Sequence, residues 1–217
     1  MKKANHDNVF REGNKLFTVN QVPGRHVYGE ALVKDGGKEL RRWDLTRSKL
    51  GASIAKGLKI PRLKRDALWL YIGAATGTTV SHVSDIVDDG MVFAIEPFYR
   101  PLRELHFLSE ERMNISPIMA DAKHPESYSM FLPRVDVLFQ DISQRDQVQI
   151  FLRNTLFLKK GGLAILSCKS RSIDIKRKPR DIFRQVEKEL KSKMELIHFK
   201  TLEPFEKDHA VFLCKKL

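Results

Sequence analysis

Four apolar runs of the chain each end on residues that could hold a charged ligand or move a proton. The first, residues 67–72, leads into Gly73-Ala74-Ala75-Thr76-Gly77-Thr78-Thr79; the next three are followed by Glu96, Asp121 and Asp141. Glycine permits a tight turn and a close backbone approach. A helix starting at Thr78 would offer unpaired N–H groups to an anion such as a carboxylate, and its dipole adds about 0.3–1 kcal/mol there. A carboxylate at Glu96 can accept two hydrogen bonds from ribose hydroxyls, and Asp121 one from an adenine amino group. Taken singly, an acid after a strand is an ordinary cap or loop carboxylate, and many strand-to-helix turns contain two glycines. Four in succession outline a site for a nucleoside with a carboxylate-bearing tail. That describes S-adenosylmethionine better than a dinucleotide, whose G-x-G-x-x-G fingerprint is missing. A fifth run, 163–168, ends on Lys169, where an amine closing so apolar a strand is badly placed for mere solubility.

These residues share a site only if their runs are neighbouring strands of one sheet, and periodicity supplies that arrangement. Residues 67–72, 91–95, 115–119, 135–139 and 163–168 read as strands; 78–87, 101–113, 144–158 and 179–191 read as helices. Pro101 suits a first helical turn, and Lys159-Lys160-Gly161-Gly162 reads as a helix stop. Ser48 is placed to cap a helix through Gly57, with Leu50, Ile54 and Leu58 on one face. Strands alternating with helices imply a mostly parallel sheet with right-handed crossovers, and ligands bind beyond the carboxyl ends of such strands. Residues 195–202 and 210–214 close the sheet as an antiparallel edge. Ahead of Arg42–Arg47 the pattern changes to short hairpins: Val9-Phe10 and 16–19 flank Gly13-Asn14, while Val27-Tyr28 and 31–33 lead to Asp35-Gly36-Gly37 and Glu39-Leu40. The expected organisation is therefore a small N-terminal antiparallel β module, 1–46, and an α/β domain, 47–217.

The chain has 217 residues, enough for one domain with a small addition at about 150 residues per domain. No apolar run approaches the ~20 residues of a membrane helix, and the start, Met1-Lys2-Lys3-Ala4-Asn5-His6-Asp7, lacks the apolar stretch of a secretory signal. Cys168 and Cys214, both in apolar surroundings, make no disulfide framework, so a reducing interior is expected. Lysine and arginine number 39 against 27 acids, a net charge of +12. Such an excess attracts polyanions through counterion release. Arg171, Lys176, Arg177, Lys178 and Arg180 read equally as RNA contacts or as a solvated helix start.

Four longer stretches are more specific. Residues 71–83, Phe139-Gln140-Asp141-Ile142-Ser143-Gln144, Lys169-Ser170-Arg171-Ser172-Ile173-Asp174 and Leu202-Glu203-Pro204-Phe205-Glu206-Lys207-Asp208-His209 resemble the fibrillarin family, especially its archaeal rRNA/tRNA 2′-O-methyltransferases, in order and spacing. The Lys169 and His209 stretches are the distinctive ones.

The resemblance implies a Rossmann-like class I methyltransferase fold, a seven-stranded, mostly parallel sheet with an antiparallel edge. It implies S-adenosyl-L-methionine as cofactor and no metal. Gly73, Ala74, Gly77, Thr78 and Thr79 would hold the methionine end, Glu96 the ribose, and Asp121 and Ala122 the adenine. Asp141, Ile142, Ser143 and Gln144 would line the sulfonium side. The family usually has an aromatic directly after the ribose-binding acid; here Pro97 stands there, with Phe98 next. A catalytic set of lysine, aspartate, lysine and histidine maps to Lys49, Asp141, Lys169 and His209. The implied activity is methylation of RNA ribose within a box C/D ribonucleoprotein. Its partners would be guide RNA, target rRNA or tRNA, a Nop-domain scaffold and a kink-turn-binding ribosomal-type protein. The chain lacks a Gly/Arg-rich nucleolar tail, so an archaeal-type cytoplasmic protein is expected. A stand-alone methyltransferase acting on a small molecule or protein, and a non-catalytic RNA-binding subunit, are the alternatives.

Overall fold

The computed structural model describes residues 1–4, 8–58, 60–61 and 64–217; residues 5–7 of the polar start lie outside them. Strands β1 (Lys2–Lys3), β2 (Val9–Glu12), β3 (Lys15–Val19), β4 (Leu32–Asp35) and β5 (Lys38–Trp43) form an antiparallel sheet in the order β1-β2-β3-β5-β4. Gly36 and Gly37, at φ of 55° and 77°, supply the two positive-φ positions of a tight hairpin turn between β4 and β5. Val27-Tyr28 departs from the expected strand pattern. Their N–H groups donate instead to the Glu30 carboxylate, at 3.1 and 2.9 Å, and this local side-chain acceptor replaces a ladder partner.

Helix α1 (Lys49–Ala55) begins at Ser48, whose hydroxyl accepts the Gly51 N–H at 3.1 Å. The larger sheet follows: β6 (Leu68–Ile72), α2 (Thr78–Ile86), β7 (Met91–Glu96), α3 (Tyr99–Glu111), β8 (Ile115–Met119), β9 (Val135–Asp141), α4 (Gln147–Asn154) and β10 (Leu158–Lys169). It is completed by α5 (Ser170–Ile173), α6 (Pro179–Lys191), β11 (Glu195–Thr201) and β12 (His209–Lys215). The order is β11-β12-β10-β9-β6-β7-β8. Strands β6 to β10 run parallel, and β12 runs antiparallel to both its neighbours. This is the expected seven-stranded α/β arrangement with an antiparallel edge. The connection direction reverses between β6 and β9, which opens a crevice at their carboxyl ends.

The long helix expected over 144–158 is shorter. Helix α4 starts at Gln147, and a 3₁₀ turn covers Thr155–Phe157. Lys159-Lys160-Gly161-Gly162 is no helix stop but the irregular opening of β10. Gly161 at φ 74° gives its N–H to the Lys216 carbonyl, and the Lys216 N–H donates to Gly162. Those ladder bonds hold the segment in the sheet.

Alternation divides the core. Tyr71, Ala94, Phe139, Ile165 and Val211 face one side, where they pack with Val80 and Val83 of α2, Leu50 of α1 and Val9, Leu16 and Trp43 of the N-terminal sheet. Ile72, Leu138, Leu166 and Phe212 face the other, against Phe151 of α4 and Ile182 and Val186 of α6. Cys168 and Cys214 are buried and free, and burial pushes both thiols up to about 12. Among the described residues no helix is long and apolar enough to cross a membrane.

A buried charge cluster fastens the small sheet to α2. The Asp85 carboxylate accepts from Arg41 at 2.8 Å, Arg112 at 2.6 Å, Thr18 at 2.7 Å and the Gln21 N–H at 3.1 Å. Arg41 also donates to Glu30 at 2.6 Å. His82, one turn before Asp85, stacks on Trp43 at 4.8 Å and touches Thr18 and Tyr28. Burial, aided by Arg41 and Arg112, holds its pKa well below the usual histidine value. Removing one partner of a buried pair leaves an uncompensated charge. Asp85→Ala leaves Arg112 without a carboxylate among the described residues, while Arg41 keeps only Glu30, and is expected to lower unfolding free energy by about 3–5 kcal/mol, measured by urea denaturation.

Candidate active site

The turn after β6 fits its surroundings only because two of its residues lack a side chain. Gly73 has φ 83° and Gly77 φ 92°. A Cβ on Gly73 would lie 2.3 Å from the Asp141 carbonyl, and one on Gly77 2.5 Å from Leu108. Gly77 also occupies the N-cap of α2 and offers no capping side chain, so the first N–H groups of the helix remain for another acceptor. Ala74 is buried, and Ala75 between the glycines takes the left-handed conformation at φ 47°. Such strain costs about 1–3 kcal/mol, and here it aims the Ala75 N–H at the Glu96 carboxylate, 2.9 Å away.

Glu96, 5% exposed, ends β7. Its second oxygen accepts the Phe98 N–H at 3.1 Å, so each oxygen keeps a lone pair for a further donor. Pro97 is half-buried, and Phe98, at the N-cap of α3, holds its ring 69% exposed. Asp121 is exposed and accepts the Lys123 N–H at 2.9 Å, closing its own loop, while Ala122 beside it is buried. Ile142 packs at Gly73, and Ser143 is exposed. Gln144 points an amide oxygen into the protein, buried and without a partner among the described residues. Thr78 opens α2, and Thr79 donates to Ser48 at 3.0 Å.

Strand register gathers the reactive groups. Ser167 pairs with Asp141 across β9–β10, and Lys169 pairs with His209 across β10–β12. By alternation, Asp141 follows Phe139, Lys169 follows Ile165 and His209 precedes Val211 on the face that Tyr71 shares. Helix α1 covers that face and brings Lys49, whose Nζ lies 3.2 Å from the Asp141 carboxylate and 3.9 Å from Glu206. His209, 6% exposed, has Nδ1 2.7 Å from the Lys207 carbonyl and 3.8 Å from Glu206. Lys169 is anchored by its backbone: its N–H donates to the Gln147 amide oxygen at 3.0 Å, and its carbonyl accepts from the Gln147 amide nitrogen at 3.1 Å. Its amine makes no ion pair or hydrogen bond with the described residues.

Burial raises the pKa of Asp141 above the ordinary carboxylate value, with Lys49 and His209 opposing it only in part. The buried Tyr71 hydroxyl is pushed well above its usual range by burial and by the negative Asp141, while a hydrogen bond to Thr79 acts the other way.

Several participants gave no sequence signal of their own. Gln147 reads as one more polar helical residue, and Tyr71 as part of an apolar strand. Ser48 was legible only as a cap. Glu206 and Ser167 sit inside stretches whose other residues attract attention. Ser167 is 1% exposed, and its hydroxyl acts on the Asp141 carboxyl across the strand pair, lowering its pKa against the effect of burial.

The sheet order, the glycine turn and the acid ending β7 define a class: the Rossmann-like methyltransferases. The sequence model of the Fibrillarin family matches residues 1–217, and the chain belongs to that family. A fibrillarin-like rRNA/tRNA 2′-O-methyltransferase of Thermococcus onnurineus is 50% identical over 204 residues, 93% of this chain and 90% of that one. The fibrillarin of a fibrillarin/Nop5p complex superposes with a TM-score of 0.90 at 37% identity, covering 97% of this chain and 98% of that one. Aeropyrum pernix fibrillarin with natively bound S-adenosyl-L-methionine superposes with a TM-score of 0.83 at 38% identity, covering 92% and 88%.

The raised Asp141 pKa gives stability a sign with pH. A carboxyl that holds protons more tightly when folded favours the fold fully below its unfolded value, and that contribution is lost as pH rises through the folded pKa. Asp141→Asn removes the titration, while Lys49 keeps Glu206 as a partner. The variant is expected to gain stability on the native protein between about pH 4 and about pH 7, read from urea midpoints of both proteins at the two ends.

Proposed function

We propose that the chain transfers a methyl group from S-adenosyl-L-methionine to the 2′-hydroxyl of an RNA ribose. The observation that carries this reading is the register that sets Asp141, Lys169 and His209 on one sheet face beside the glycine turn, with Lys49 delivered from α1. The residues suit the cofactor. Gly73 and Gly77 leave the space that a Cβ would fill, and the free N–H groups of α2, beside Thr78 and Thr79, take the carboxylate. Glu96, with lone pairs left on both oxygens, holds the ribose hydroxyls. Gln144 borders the sulfonium side with Asp141, Ile142 and Ser143. Asp121 and Ala122 border the adenine, and the exposed Phe98 ring substitutes for the aromatic that Pro97 displaces.

When bound, the cofactor supplies an electrophilic methyl on a cationic sulfur, so the difficulty lies with the nucleophile. Lys169 stands at the attacking oxygen and stabilises its developing negative charge. Asp141, whose proton affinity burial has raised, receives the hydroxyl proton; a positioned base is worth roughly 10²–10⁴-fold. Lys49 orients that carboxylate, and His209 braces the same end of the sheet through Lys207 and Glu206. Holding ribose and methyl in line contributes about 7–11 kcal/mol at best.

The likeness to the fibrillarin of a Nop5p complex supports a Nop-domain scaffold as partner. Box C/D guide RNA and a kink-turn-binding protein complete the particle, which acts on pre-rRNA and tRNA in the cytoplasm. Residues 1–46 serve as a β module braced on the methyltransferase unit, 47–217. Of the basic run, Arg171 is held by Asp208 at 3.1 Å and Arg177 by Gln185 at 2.6 Å. Lys178 and Arg180 line an open groove between α6 and β11.

Lys169→Ala is expected to abolish methyl transfer in a reconstituted guide complex supplied with tritiated cofactor, with cofactor affinity by calorimetry retained within a few-fold. Full activity in that variant overturns the reading.

A further inference from the structure

We infer that Arg47 and Arg42, with Tyr28 of the N-terminal sheet, form a phosphodiester-binding subsite that grips the RNA strand next to the reacting ribose. The inference rests on the proposed RNA methyl transfer and adds the part of the protein that holds the strand.

Two adjoining grooves, of about 430 and about 400 Å³, share Tyr28 and Arg47 as a common wall. The first is lined also by Arg42; the second reaches Thr76 and Thr78 of the glycine turn and the half-exposed ring of Phe107. Tyr28 is fixed from beneath: its hydroxyl lies 2.7 Å from His82 Nε2 and accepts the Asp44 N–H at 3.2 Å. Its ring carries the Arg47 guanidinium 5.6 Å from the centroid. Such stacking orients a guanidinium while leaving its N–H edge available.

The balance of charges in these grooves decides what they attract. Each carboxylate that lines them is already engaged. Glu30 holds Arg41 at 2.6 Å, and Asp44 accepts from Thr46 at 2.8 and 2.9 Å. Glu104 pairs with Arg103 at 3.2 Å and Glu111 with Arg25 at 3.6 Å. The guanidiniums of Arg42 and Arg47, both exposed, have no carboxylate partner among the described residues. Asp44, bonded only by the neutral groups of Thr46, keeps its charge; two guanidiniums against that one uncompensated carboxylate leave the grooves net cationic, in the planar geometry that suits phosphate.

Position ties this subsite to the reaction. Arg47, Ser48 and Lys49 are consecutive, so the Cα atoms of the two basic residues lie within about 7 Å of each other. Ser48 accepts from Thr79 of α2, and Lys49 reaches Asp141. A strand whose ribose sits at Asp141 therefore presents its neighbouring phosphates to Arg47.

The test uses the full-length protein with S-adenosyl-L-methionine and a fluorescein-labelled single-stranded oligoribonucleotide, with affinity followed by anisotropy over a range of salt. Each lost phosphate contact lowers the log–log salt slope by about 0.7. Arg47→Ala is expected to lower it by about 0.7 and the Arg42→Ala/Arg47→Ala pair by about 1.4, with cofactor affinity and melting temperature unchanged. Arg47→Lys retains the native slope. In the assembled guide complex, Arg47→Ala raises KM for target RNA and leaves kcat as it is. Native slopes in both alanine variants overturn the proposal. So does equal displacement of the RNA by a glutamate oligomer of the same charge, which would assign the grooves to an acidic protein. Failure of the native guide complex to transfer methyl would refute the function proposed above instead, and the slopes would still report on this subsite.

Discussion

The Asp85 carboxylate is the constraint on which the rest of the arrangement leans. It neutralises Arg41 from the small sheet and Arg112 from the end of α3, and it sits on α2, the helix that the glycine turn introduces. A hydrophobic contact alone would let the two sheets slide, because dispersion and burial have little direction. A carboxylate shared by two buried guanidiniums allows few geometries. The small sheet is thereby held in one orientation over α2, and Trp43, stacked on His82 and touching Gly51 of α1, passes that orientation to the helix that carries Lys49.

The sheet, its order class and the four strand ends were legible because alternation and glycine turns are local signals. Gly73 and Glu96 announce themselves by following apolar runs. The start of α4 did not, because Gln144 continues an amphipathic pattern that the backbone abandons when the strand end and the loop take over residues 142–146. The two glycines after Lys159 have the composition of a helix stop, but their ladder partner is Lys216, more than fifty positions away. No local pattern carries such a partner. Tyr71, Ser167 and Gln147 escaped for the same reason: their neighbours come from register and packing.

The resemblance contributed what spacing could not. Lys49 in isolation is an unremarkable helical lysine, and only the fold shows it 3.2 Å from Asp141. Conversely, two of the residues proposed to hold the cofactor are otherwise occupied or exposed. Asp121 spends one oxygen on its own loop, and Phe98 leaves its ring in solvent, so the end proposed for the adenine is less built than the glycine turn. The glycine turn, by contrast, is enclosed on both sides by the Asp141 carbonyl and by Leu108.

Gln147 grips both backbone polar groups of Lys169 and leaves its amine unclaimed. The root of this side chain is held at both backbone groups, while its amine is left for solvent or a ligand to meet. Stripping water from a cation is costly unless a partner replaces it, and one ribose hydroxyl offers little in return. The deficit must be covered by contacts made elsewhere along a long ligand. An isolated nucleoside, which makes none of them, would leave the amine in water and the methyl group where it is.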